Sequence, residues 1–110
     1  MAGTSEHFSA STREQDGAIV VALDGELDMA GTFVLEPRLD AVVDGTPPPH
    51  EVVFDLRGLT FVDSTGLATL LDAHRRLTDS GVATRFVRGS DDVHRIFTVA
   101  GFDGVLGFED

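Results

Sequence analysis

Residues 51 to 81, EVVFDLRGLTFVDSTGLATLLDAHRRLTDSG, hold two different periodicities back to back. Glu51 to Leu56 has the β-branched and aromatic content, and the short length, of a buried strand. Further on, Leu67, Leu70, Leu71, His74 and Leu77 recur at the i, i+3, i+4, i+7, i+10 spacing of one helix face, with Asp72, Arg75, Arg76 and Asp79 largely on the other side. Arg57-Gly58 reads as the end of the strand, Phe61 to Gly66 as an irregular hand-over, and Gly81 as the stop of the helix. A buried strand feeding an amphipathic helix is the repeating unit of an α/β fold.

Upstream, Phe8 to Thr12 alternates apolar or small residues with polar ones, and Gln15-Asp16-Gly17 supplies a turn before the apolar run Ala18 to Leu23, which predicts a hairpin. Its second strand reaches Gly25 and leads through Gly25-Glu26-Leu27-Asp28 to a helical segment between Ala30 and Val43, carrying Phe33, Val34, Leu39, Val42 and Val43 at mixed helical spacings. Pro37 has no N–H and costs about 3 kcal/mol inside a helix, so the helix is expected to begin close to Pro37 or to kink there. Asp44-Gly45-Thr46-Pro47-Pro48-Pro49 is a surface loop by composition. Downstream, Val82 to Val87 reads as a strand, Ser90 as the cap of a helix with the stripe Val93, Ile96, Phe97 and Ala100, and Val105 to Phe108 as a last strand. Strands that alternate with helices imply a mixed, mostly parallel sheet of four to five strands with three to four helices.

With 110 residues the chain is expected to be one domain, residues 1–110, with an ordered core from about 7 to 108 and a flexible stretch at 1–6. Nineteen acidic against eight basic residues give a net charge of −11, a field that repels nucleic-acid phosphates and anionic lipid. With no Cys, disulfides, a thiolate nucleophile and a Cys-based zinc site are excluded. The first fourteen residues lack the apolar core of a signal peptide and the run from Ala18 to Leu23 is too short to span a bilayer, so the chain is expected to be cytoplasmic with no membrane partner.

Chemistry concentrates at Asp63-Ser64-Thr65-Gly66, where a helix starts at the carboxyl end of a strand. Unpaired N–H donors and about half a positive charge at a helix N-terminus suit a phosphate on the Ser64 hydroxyl. The plainer alternative makes Ser64 the helix cap, with Asp63 favouring the dipole and Gly66 allowing close packing. Neither G-x-S-x-G nor a Walker A or G-x-G-x-x-G stretch is present, and His7, His50, His74 and His94 have no metal-binding spacing. No cofactor and no enzymatic activity are expected.

Residues 52 to 71, VVFDLRGLTFVDSTGLATLL, resemble the signature of STAS domains: a strand, an Asp-Ser-x-Gly-Leu turn and an apolar helix. Leu23-Asp24-Gly25-Glu26-Leu27-Asp28 resembles the family's first motif, and Arg95-Ile96-Phe97 with Gly101-Phe102 resembles its last helix. The resemblance implies a STAS fold and, among stand-alone members, an anti-sigma factor antagonist: a switch that holds an anti-sigma factor with serine kinase activity until the serine after the Asp, here Ser64, is phosphorylated. A phosphatase would reverse it. Asp28, Asp63, Ser64, Thr65 and Gly66 are the implied partner-binding residues, with Asp28 and Asp63 in loops that shape the docking surface. Thr65 stands where a small residue is usual; it is read as structural, with a second phosphoacceptor as the alternative. Asp24 and Glu26 read as strand-end charges. Two rival functions are a cytoplasmic STAS subunit of an ABC-type lipid or solute transporter and a small serine-dependent enzyme.

Overall fold

The computed structural model describes residues 2–4, 7–102 and 104–109. In chain order the elements are β1 (Ala2–Thr4), β2 (Phe8–Gln15), β3 (Ala18–Leu27), α1 (Met29–Val43), β4 (Glu51–Val62), α2 (Ser64–Asp79), β5 (Ala83–Val87), α3 (Asp91–Val99) and β6 (Phe108–Glu109). They build one six-stranded sheet in sequential order, antiparallel across β1, β2 and β3 and parallel from β3 to β6. Each parallel step passes through one helix, as the alternation of strand and helix predicts. The strand count exceeds the expected four to five because Ala2–Thr4, expected to be part of a flexible stretch, pairs with Ser9–Ser11 as a short edge strand.

The hairpin turns where Asp16 and Gly17 both take positive φ, 54° and 84°, as a tight two-residue connection requires. Beyond it, the strand residues that point to the helices, among them Val21, Leu23, Val52, Phe54, Leu56 and Phe86, form one core with Leu35, Leu39, Leu70, Leu77 and Phe97. Phe54 and Phe86 stack at 4.6 Å across β4 and β5. The alternate residues of β4, Glu51, Val53 and Asp55, turn to the opposite face, where Asp55 pairs with Arg57 at 2.8 Å and Arg85 pairs with Glu51 and Glu109 at 3.4 and 3.3 Å.

Several expectations are corrected by long-range structure. α1 begins at Met29 and runs through Pro37. Pro37 lies on the exposed side, and the face that α1 buries is Leu35, Leu39 and Val42, so the donor missing for the Phe33 carbonyl falls on the solvent side of the helix. Phe33, expected among the apolar positions, is 72% exposed. β4 does not end at Leu56. Its pairing with β3 shifts register between Ala22 and Asp24 and again between Gly25 and Glu26, and each shift accommodates one extra residue on β4, the first between Asp55 and Gly58 and the second at Thr60, carrying the strand to Val62. A Cβ on Gly58 would lie 2.8 Å from the Leu23 carbonyl oxygen, so the first irregularity needs glycine.

In α2 the core positions are Gly66, Leu67, Leu70, Ala73 and Leu77, while Leu71 and His74 are half-buried; His74 Nδ1 lies 2.7 Å from the Thr84 hydroxyl. Gly81 ends this helix at φ +80°. Ser90 caps α3 through the Val93 amide, and Ala100 forms the exposed C-cap instead of a core position. The last strand falls at Phe108–Glu109, later than expected, because the amides of Val105 and Leu106 both donate to the Phe102 carbonyl and turn the chain there. None of the described helices is long and apolar enough to cross a membrane.

Candidate functional site

The extension of β4 decides where the site lies. Leu27 and Val62 are the last paired residues of β3 and β4, and the Asp63 amide continues the ladder onto the Leu27 carbonyl at 3.2 Å. The next residues, Asp28 and Asp63, therefore leave two neighbouring parallel strands at the same level, each as the N-cap of a helix. The carboxylate of Asp28 accepts from the Gly31 amide at 2.9 Å, and that of Asp63 from the Gly66 amide at 2.9 Å. The carbonyl of Asp28 accepts from Thr32 and that of Asp63 from Leu67, both at 2.9 Å.

Glycine stands third in each helix because the first turn is pressed onto the end of β3. A Cβ at Gly66 would sit 2.7 Å from the Leu27 carbonyl oxygen and 2.9 Å from Val62 Cγ2; one at Gly31 would sit 3.0 Å from the Glu26 carbonyl oxygen and 3.2 Å from Phe8 Cγ. The two helix N-termini thus share one seat, and their positive ends open at the same edge of the molecule.

Ser64 is the first residue of α2 and is exposed. It is not the cap: Asp63 fills that role, and among the described residues the Ser64 hydroxyl engages no hydrogen-bond partner. The first-turn amides of Ser64 and Thr65 have no acceptor inside the helix. Thr65 is half-buried, and its carbonyl accepts from the Thr69 hydroxyl at 3.0 Å. The structure therefore brings Asp28, Asp63, Ser64, Thr65 and Gly66 to one end of the sheet, with both carboxylates working as caps and not as loop charges. Asp24 is exposed on β3, and Glu26 lies 3.7 Å from His7.

Sequence reasoning missed the apolar residues beside this end. Met29 is 60% exposed, Phe33 72% and Phe61 42%. The four-residue step from Met29 to Phe33, one turn apart and off the Leu35, Leu39, Val42 face, was the available signal.

The molecule is a two-layer α/β domain that presents two capped helix starts and an exposed serine at the carboxyl edge of its parallel strands. The model of the STAS domain matches residues 9–110, and the chain belongs to that family. It is 28% identical over 102 residues, 93% of its length and 80% of the relative's, to the anti-sigma-F factor antagonist RsfA of Mycobacterium tuberculosis. The crystal structure of an anti-sigma factor antagonist from Mycobacterium paratuberculosis superimposes with a TM-score of 0.85 at 25% identity, covering 96% of this chain and 88% of that one. The anti-sigma factor antagonist SpoIIAA shares the fold in its unphosphorylated form (TM-score 0.75, 20% identity, 92% and 88% covered). The Bacillus SpoIIAA in the phosphorylated form does so as well (TM-score 0.70, 18% identity, 92% and 91% covered).

Proposed function

We propose that this chain is an anti-sigma factor antagonist: it binds a kinase-type anti-sigma factor while Ser64 is unmodified and lets go when Ser64 is phosphorylated. The observation that carries the reading is the division of labour at the start of α2, where Asp63 does the capping and the adjacent Ser64 hydroxyl is left exposed. A hydroxyl used as a cap would be withheld from a kinase. The relatives named as anti-sigma factor antagonists supply the class of partner.

In the transfer, Ser64 Oγ forms the new bond to the γ-phosphorus of ATP, the bond from that phosphorus to the β–γ bridging oxygen breaks, ADP leaves, and the hydroxyl proton passes to a base of the kinase. This chain supplies the acceptor and its positive surroundings. The first-turn amides of α2 stabilise the phosphate in the free protein. In a complex fitted to a neutral hydroxyl, about −1.5 to −2 extra charges are buried without a matching partner. A mismatch of about 2 to 5 kcal/mol lowers affinity by roughly 30-fold to several thousand-fold.

The test compares wild type, Ser64→Ala and Ser64→Asp by titration against the purified anti-sigma kinases of the same genome. Ser64→Ala should bind like wild type and accept no phosphate at this position, and Ser64→Asp should bind weakly. Equal binding by all three proteins contradicts the reading. Retention of a transporter ATPase in place of an anti-sigma factor would favour the transporter subunit.

A further inference from the structure

Between α1 and α2 runs a groove of about 360 Å³ that begins at Thr65, the neighbour of Ser64. One wall, on α1, is formed by Glu36, Leu39 and Asp40, and Met29 and Phe33 continue the line of Glu36 and Asp40 toward the helix N-terminus, beyond the groove itself, at i, i+4, i+7 and i+11 along one side of the helix. The other follows α2 through Thr65, Ala68, Asp72 and Arg76. At the far end Arg76 bridges to Asp40 at 2.8 Å and lies 3.8 Å from Asp72, which closes the groove.

The character of this track changes along its length. Near the helix N-termini it is floored by the small side chains Thr65, Ala68 and Thr69, and the exposed Met29 and Phe33 extend the same side of α1 past its mouth. Further down, Glu36, Asp40 and Asp72 face a single cation, Arg76. In a chain of net charge −11 this pattern selects against an acidic occupant and for one that is apolar at one end and basic at the other.

We propose that the groove receives an amphipathic helix of the anti-sigma factor, its apolar end against Met29 and Phe33 and its basic end toward Glu36 and Asp72. The proposal rests on the partner class proposed above and adds the surface and the polarity of docking. It also gives the phosphate a local target, because Ser64 adjoins Thr65 at the apolar end of the track, where new charge would meet an apolar docking surface.

The experiment measures binding of Phe33→Ala, Glu36→Lys, Val99→Ala and Ser64→Asp to the same purified anti-sigma kinases, with melting curves to confirm folding. Val99 is 81% exposed on α3 and serves as the control for loss of an exposed apolar side chain. Phe33→Ala should weaken binding roughly 10- to 100-fold. Glu36→Lys should lower the association rate and flatten its salt dependence. Val99→Ala should bind like wild type. If Phe33→Ala and Glu36→Lys bind like wild type while Ser64→Asp releases the kinase, the groove is wrong and the switch stands. If the groove variants release it and Ser64→Asp does not, the groove stands and the switch is wrong. Failure of wild type to retain any of these kinases overturns both.

Discussion

At the end of β3 the chain passes through Asp28-Met29-Ala30-Gly31, and at the end of β4 through Asp63-Ser64-Thr65-Gly66. Both aspartates take nearly the same backbone conformation, φ −103° with ψ −168° and −177°, and both carboxylates accept from the amide three residues on. One backbone device is therefore built twice, side by side, and the two copies differ in what stands first in the helix: an exposed methionine in α1 and an exposed serine in α2. The comparison separates scaffold from chemistry. Cap and glycine hold the edge in place, while the first helical residue decides whether that edge offers an apolar side chain or a hydroxyl.

The comparison breaks most visibly at Ser64, where Ser64→Asp should weaken the complex in the direction argued above for the phosphate, though by less because one carboxylate carries less charge, with no comparable loss of fold stability.

The glycines test whether the two seats are equally tight. Gly66→Ala drives a Cβ to 2.7 Å from a backbone oxygen that cannot move cheaply, so it should destabilise the protein by about 1 to 3 kcal/mol. In Gly31→Ala the closest contacts are 3.0 Å to the Glu26 carbonyl oxygen and 3.2 Å to Phe8, and better helix propensity offsets them by up to about 1 kcal/mol. Urea denaturation of both variants should rank Gly66→Ala well below Gly31→Ala; equal losses would show that the seats are alike.

The caps should behave as twins. Asp28→Ala and Asp63→Ala should each cost about 1 kcal/mol, visible as a drop of about 4 °C or more in melting temperature. Ser64→Ala removes no cap and should stay within about 0.5 kcal/mol of wild type. A loss near 1 kcal/mol would mean that the serine caps α2 after all.

Acid titration probes a point remote from both ends. The hydrogen bond from Arg57 holds the Asp55 carboxyl below its ordinary value of 3.8, against the opposing effect of burial. A lowered carboxylate value stabilises the fold above the unfolded value and loses that contribution as pH falls through the folded one. The small gap in melting temperature between wild type and Asp55→Asn should therefore shrink as pH drops below about 4.

Legibility from sequence followed the range of the interactions. The hairpin at Asp16-Gly17, the buried stripe of α2 and the stop at Gly81 are set by neighbouring residues and were readable. The continuation of β4 past Arg57-Gly58 depends on register shifts against β3, which no periodicity records. That same extension brings Asp28 and Asp63 level, so the twin arrangement was invisible although each member was noticed. Asp63 and Ser64 are both good capping residues, and which one caps turns on a single-residue difference in where the helix starts. The apolar residues of α1, Phe33, Val34, Leu39, Val42 and Val43, stand at mixed spacings, so the sequence does not fix the phase of this helix; packing against the sheet does, and it leaves Phe33 exposed.

The most direct test of the central claim is to incubate the protein with a cognate anti-sigma kinase and ATP, map the phosphate by mass spectrometry, and titrate the purified phosphorylated and unphosphorylated forms against that kinase. A single phosphate on Ser64 and an affinity lower by at least about 30-fold for the modified form is the predicted result. Phosphate on Thr65 or elsewhere, or equal affinity of the two forms, would contradict it.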